Sequence, residues 1–318
     1  AQPSQPTWAR GGGPRPGPPA PAGPPGGLDS PPAMAEFREP PPGSAAAWCL
    51  ALLRAERLEG KLEPPPPPDL DRPGALEAEA PPRRLAGPAR PPDWVLLDKA
   101  EKRPSAGALR RPEPRARLLH TCLHHELQAA ELFAWAFLCF PETPREFRAG
   151  LLRLAREELE HAGLYRLRLR ALGFEFGAFG MRDWFWQRAR GCRTPLEFVA
   201  LMGLGLEGGN LEHGARLCQQ FRAAGDEDSA RVFERIQREE IGHVAFGRLW
   251  FERFVGAPLE FEAWRRALPP PLSPALLKGR PLNRAARRQA GLSAPFLDAL
   301  EAVPPVDGRA GVRTEESG

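Results

Sequence analysis

The pattern of apolar and polar positions changes character along this chain. From about residue 115 to 256, apolar side chains recur every three or four positions, the spacing of one helical face. Upstream of that stretch proline interrupts every pattern. Of 40 prolines, 28 lie at or before Pro114, and Pro195 alone falls between Arg145 and Ala257. Proline removes a backbone donor and clashes with the preceding turn, so the central region is the part that tolerates long helices. The pattern predicts four of them, at about 115–140, 144–172, 195–224 and 228–254.

Local signals support these bounds. Thr143–Phe147 reads TPREF and Thr194–Phe198 reads TPLEF. Each offers a threonine cap, a proline at the first helical position and a glutamate to complete a capping box. Gly173 and Gly256 are expected to stop the second and fourth helices. The first and second helices are joined by a few residues, as are the third and fourth, whereas about twenty residues separate the second from the third. Short, long, short is the connectivity of an all-α four-helix bundle made of two antiparallel hairpins and one crossover.

The flanks read differently. Residues 1–44 form a Pro/Gly-rich arm too poor in apolar side chains to build a core, and disorder is expected there. Met34 opens a more ordinary segment, so residues 1–33 read as an upstream extension of the reading frame. Residues 45–114 form an N-terminal extension with one short helix over 48–62, stopped by the prolines at 64–68. The bundle itself is assigned to 115–256. Residues 257–318 read as a basic extension, partly disordered and, over 265–288, solvated.

Composition narrows the function. Net charge is +4 with interspersed signs, which does not favour specific nucleic-acid binding. Five cysteines without a CxxC pair suit a reducing cytoplasm rather than a disulfide or zinc framework. No stretch reads as an export signal or a membrane span.

Candidate chemistry comes from a repeated phrase. Arg156–Leu167 reads REELEHAGLYRL and Arg238–Leu249 reads REEIGHVAFGRL. Residues three apart share a helix face, so Glu158 and His161 point one way, as do Glu240 and His243. Glu126 precedes Glu158 by 32 residues and Glu207 precedes Glu240 by 33, which brings each pair to similar height in an antiparallel hairpin. Glu131 rivals Glu126 and Glu212 rivals Glu207. Four carboxylates and two imidazoles suit a pair of divalent ions of the iron or manganese kind. Glu157, Glu160 and Glu239 read as solvated or paired with nearby arginines, and His120, His124, His125 and His213 as non-ligands. Tyr165, the single tyrosine, lies four residues after His161. Two readings stand for it, a packing residue or a phenol that donates a hydrogen bond beside the metals.

With these residues in view, the chain resembles the ferritin-like di-iron carboxylate superfamily, which includes rubrerythrins and a tRNA-hydroxylating branch. The resemblance rests on ELQA (126–129), the two Glu-x-x-His motifs and Glu207. More narrowly, GPARPPDW (87–94), HHELQAAEL (124–132), REEIGHVAFGRLWF (238–251) and PLNRAARRQAGLSAPFLDAL (281–300) are similar to a bacterial family of ferritin-like proteins catalogued as a domain of unknown function. It spans roughly residues 45–300. The resemblance implies a ferritin-like bundle with Glu126, Glu158, His161, Glu207, Glu240 and His243 as ligands to two irons, or to iron and manganese. It further implies O2 as co-substrate. The chain departs from rubrerythrins in lacking CxxC pairs after the bundle. It also has Gly208-Gly209-Asn210 where a seventh, carboxylate ligand would come after Glu207.

The expected activity is oxidation or hydroxylation of a small organic molecule, with electrons from an external reductase and a monomer or dimer as the working form. Metal handling with peroxide detoxification, and a non-catalytic scaffold, are the alternatives. RNA contact through residues 265–288, by analogy with the tRNA-modifying branch, is the less favoured reading of that stretch beside a solvated tail, and nucleic acid is not the expected partner.

Overall fold

The computed structural model describes residues 38–77, 80–99 and 104–305. Among them every regular element is helical, apart from an isolated parallel bridge between Leu96 and Met181. Helices α1 (Ala45–Arg54) and α2 (Leu58–Leu62) come first. The long α3 (Pro112–Cys139) and α4 (Arg145–Ala171) come next, then a crossover containing α5 (Trp184–Ala189). After it come α6 (Pro195–Leu201), α7 (Glu207–Ala223) and α8 (Glu227–Val255), and last α9 (Phe261–Ala267), α10 (Arg284–Gln289) and α11 (Ala294–Ala302). The hairpins α3–α4 and α7–α8 form an all-α four-helix bundle, meeting along α4 and α8.

Chain chemistry explains most boundaries. The Asp226 carboxylate accepts from Ser229 N at 3.1 Å and caps α8, which Gly256 ends at φ +74°. Gly173, at φ +87°, lies just past the end of α4. Asp226 also receives Arg115 of α3 and Arg168 of α4, each at 3.2 Å. The turn of one hairpin is thereby tied to both helices of the other, which fixes their relative height.

The two TP-x-EF phrases behave differently. Thr194 accepts from Glu197 N at 3.2 Å and caps α6, while Glu197 reaches back to Arg193 N. Thr143 makes no such cap, because its hydroxyl donates instead to Phe140 O at 2.7 Å, and α4 starts at Arg145. The preceding helix end supplied an orphan carbonyl that outcompeted the capping box.

Two further expectations are corrected. The single helix over 48–62 is broken, with Ala55 extended at ψ 125°. The break lets α2 fold back so that Lys61 Nζ reaches Leu52 O and Leu53 O at the end of α1. The third bundle helix is not uniform either. Met202–Leu206 forms a π segment between α6 and α7. Its wider turn shifts the register of α7 relative to α6, and such segments recur at functional sites.

The segment expected as a solvated basic extension packs onto the bundle through residue 305. Trp264 is buried and donates to Ala200 O at 2.9 Å. Arg287 is fully buried, its guanidinium 2.8 Å from Glu212. The cause is Glu212 itself, a buried carboxylate on α7 that needs a counterion. The disorder expected for residues 1–37 and for 306–318 concerns positions outside the described residues.

α8 crosses the π segment at glycine on both sides. A Cβ on Gly247 would lie 2.8 Å from Gly203 Cα. Both neighbours are backbone and cannot yield, so Gly247→Ala is expected to destabilise the protein by about 1–3 kcal/mol, despite alanine's better helix propensity. Urea unfolding of the metal-free protein measures this.

Candidate metal centre

Four helices deliver the candidate donors. α3 carries Glu126 and α4 carries Glu158 and His161. Glu207 is the first residue after the π segment, and α8 carries Glu240 and His243. All six are buried, at 5 % exposure or less. They form two groups, Glu126–Glu158–His161–Glu240 and Glu158–Glu207–Glu240–His243, within each of which ligand atoms lie within 4.8 Å of one another. Glu158 and Glu240 belong to both groups. Each end adds one imidazole and one further carboxylate.

The histidines are aimed by each other's repeat. His161 Nδ1 lies 3.4 Å from Glu158 and 3.6 Å from Glu240. His243 Nδ1 lies 2.7 Å from Glu158 and 3.2 Å from Glu240. The far nitrogens point outward, His161 Nε2 to Glu239 at 2.9 Å and His243 Nε2 to Glu157 at 2.9 Å. Arg235 and Arg153, each at 3.0 Å, hold those two carboxylates ionised. A carboxylate can only accept, so each Nε2 carries a hydrogen and each Nδ1 is turned inward, where it would offer its lone pair to an ion that displaces its proton. Glu157 and Glu239 do pair with arginines as expected. Their contact with the histidines was missed, although the doubled glutamate in both phrases was its signal.

The interior is rich in unsatisfied acceptors. Both oxygens of Glu158 and of Glu240, Glu126 Oε2, Glu207 Oε1 and both histidine Nδ1 atoms are buried with no partner outside the cluster, and meet only one another. Buried polar atoms in such number are costly unless a cation faces them. Charge distribution carries the same strain. Burial, together with the charges of Glu158 and Glu240, pushes Glu126 and Glu207 well above the usual carboxylate range. Burial would also raise Glu158, but the charges of His243 and His161 outweigh it and hold that group low. Burial would lower His161, yet Glu158 and Glu240 push it up to about 8. Four carboxylates share two imidazoles, and the oxygen-rich donor set with inward Nδ1 atoms fits a pair of divalent ions.

The rival carboxylates lie elsewhere and are already neutralised by the protein. Glu131 is fully buried between Lys61 at 2.7 Å and Arg90 at 2.6 Å, with Trp186 Nε1 donating at 3.0 Å. Glu212 faces Arg287 and accepts from the backbone N–H groups of Gly279 and Asn283, both at 3.0 Å. Gly208 lets α7 lie close to Arg287. A Cβ there would meet the Arg287 guanidinium at 2.9 Å.

A cavity of about 250 Å³ reaches the cluster at Glu126 and Glu240. Tyr165 lines it and packs against Phe233, ring centroids 5.1 Å apart. Burial raises the phenol's pKa, so it stays protonated. His120, His124, His125 and His213 lie outside both donor groups, as expected.

A family described as "Protein of unknown function (DUF455)" matches residues 48–298. The chain belongs to this family. The matched range contains all six donors, α9, α10 and the start of α11. An uncharacterized protein of Haemophilus influenzae is 31% identical to this DUF455 member over 146 residues, which is 43% of this chain and 50% of that relative. The chain thus spans about half the length of the curated relative it matches. No solved structure matches it. Among the described residues, no helix is long and apolar enough to cross a membrane.

Proposed function

We propose that this DUF455 member is a ferritin-like, non-haem di-metal oxidoreductase that uses O2 to oxidise or hydroxylate a small organic molecule. One observation carries the reading. Two carboxylates, Glu158 and Glu240, are common to two buried groups of donors. Among the described residues no arginine, lysine or backbone N–H faces any of their four oxygens, which meet the two imidazoles and the other buried carboxylates. That is the arrangement expected of residues that bridge two ions, with Glu126 and His161 at one end and Glu207 and His243 at the other. Two irons, or iron and manganese, would supply the electrons that activate O2.

The chain's own part is to orient and to exclude. Glu157 and Glu239 fix the imidazole tautomers through Nε2. Tyr165, Phe233 and Leu118 line the cavity beside the donors and limit water there, and the Tyr165 phenol can donate a hydrogen bond to a bound molecule. The 318 residues contain no CxxC pair, so electrons come from a reductase outside this sequence.

The test is anaerobic loading with ferrous iron, then metal analysis and oxygen-uptake measurement. Two irons per chain with rapid oxygen consumption is the expected result. Iron retained without consumption would leave a metal site but end the oxidase reading. Glu239→Gln removes the carboxylate behind His161 and is expected to weaken metal binding about 10–100-fold, measured by competition with a chelator.

A further inference from the structure

Of six histidines, two face the carboxylate cluster, and the other four meet in one place. His120, His124 and His125 of α3 and His213 of α7 all line a second cavity of about 420 Å³. This cavity adjoins the first one. His125, His213, Thr121 and Asn210 line both, so the second opens toward Glu126 and Glu240 through the first. Together they have the size of an ordinary small-molecule site.

Their linings differ in a directed way. The inner cavity is mostly apolar, with Leu118, Leu217, Phe233 and Ile236 around its two acidic donors. The outer cavity has no aspartate or glutamate among its lining residues, and it has three cations, Lys99, Arg182 and Lys278. Lys278 is committed, since its ammonium caps the carbonyls of Leu300, Glu301 and Val303. Lys99 is exposed.

Arg182 is the informative one. It is half-buried, its Nε is buried with no partner, and its guanidinium makes no hydrogen bond or ion pair with any described residue. The neighbouring carboxylate, Asp183, is taken by Arg90 and His124. Most half-buried arginines here have an acidic partner, as Arg168 does with Asp226 and Asp228. A guanidinium withdrawn from water without a counterion is costly, and its fork matches a planar or tetrahedral oxyanion.

We propose that the outer cavity anchors an anionic substrate of the di-metal site: an apolar body bearing one carboxylate or phosphate, held by Arg182, with the body passing His125 and His213 toward Glu126 and Glu240. The proposal rests on the oxidoreductase reading for the word substrate. The anion site itself rests on Arg182 and the acid-free lining. The Asn210 amide, which gives one hydrogen to Glu207, has a second to offer the anion.

The test is titration calorimetry of full-length protein, metal-free and iron-loaded under argon. The probes are 4-phenylbutyrate and phenyl phosphate, each against the uncharged alcohol of the same skeleton, 4-phenylbutan-1-ol and phenol. At least one anion is expected to bind roughly tenfold to a hundredfold tighter than its alcohol, the worth of a charge-assisted hydrogen bond. Which anion gains more separates a carboxylate from a phosphate site. Arg182→Gln should erase that preference and leave alcohol binding unchanged. Since Arg182 ties no described residue in place, this variant should fold, as circular dichroism checks. Lys99→Gln, at an exposed position, is a second variant and should weaken the anion less. Equal binding of anions and alcohols, no binding of either, or an unchanged preference in Arg182→Gln overturns the anion site. Iron stoichiometry on the same samples keeps the two readings apart. Anion selectivity without iron would leave the pocket and remove the metal chemistry, and iron uptake without selectivity would do the reverse.

Discussion

Glu158→Gln is expected to abolish the binding of a second ion and to lower the stability of the metal-free protein. Glu158 belongs to both donor groups, so its loss damages both ends together. A single substitution at the periphery, such as Glu126→Gln, should weaken one end only. The stability forecast comes from the same geometry. Four buried carboxylates face two imidazoles, and burial with mutual repulsion already drives Glu126 and Glu207 to hold their protons. Glu158 is the carboxylate that His243 and His161 hold ionised, so its loss leaves both imidazoles short of a counterion. Metal analysis gives the first outcome. Thermal unfolding with and without ferrous iron under argon gives the second. Wild type should gain thermal stability on loading, because a ligand that binds only the native state stabilises it. The variant should gain much less. A variant that still carries two ions would remove Glu158 from its bridging role.

Glu131→Gln is expected to cost more, about 3–5 kcal/mol of stability, with no direct effect on the metal site. The two glutamates are equally hidden, and what differs is what faces them. Glu131 neutralises Lys61, which is fully buried, and Arg90, which is nearly so. Arg90 keeps Asp183 when Glu131 goes, but Lys61 keeps only the carbonyls of Leu52 and Leu53. An ammonium left in the core without an anion is the main penalty. Adding Lys61→Met to Glu131→Gln should therefore recover a large part of the loss, and a double-mutant cycle in urea measures the coupling. Additive losses would mean that the pair is not energetically linked. The ion cluster also binds the N-terminal extension to α3 and to the crossover, so weakening it should loosen residues 58–99 before the bundle, as hydrogen exchange would register.

The contrast between Glu158 and Glu131 shows how far the sequence reaches. Helical periodicity, the proline distribution and the glycine stops suffice for an all-α bundle of two hairpins, because helix faces and helix ends are local properties. The doubled REE-x-x-H phrase, with Glu126 and Glu207 about one hairpin upstream of it, likewise singles out the six donors that meet in the interior. It does so because i and i+3 must share a face wherever a helix forms. Other features depend on partners distant in the chain. Glu126 and Glu131 look alike in sequence, and so do Glu207 and Glu212. The fold brings Lys61 and Arg90 to one rival and Arg287 to the other. The capping box at Thr143 fails because a neighbouring helix end claims the hydroxyl. The basic stretch over 265–288 looked like a solvated tail, but a buried carboxylate on α7 draws Arg287 into the core. Local pattern determined which elements form and which faces they present. Tertiary structure decided which buried charges the protein neutralises itself and which it leaves for a cation, since a buried charge is governed by what stands opposite it.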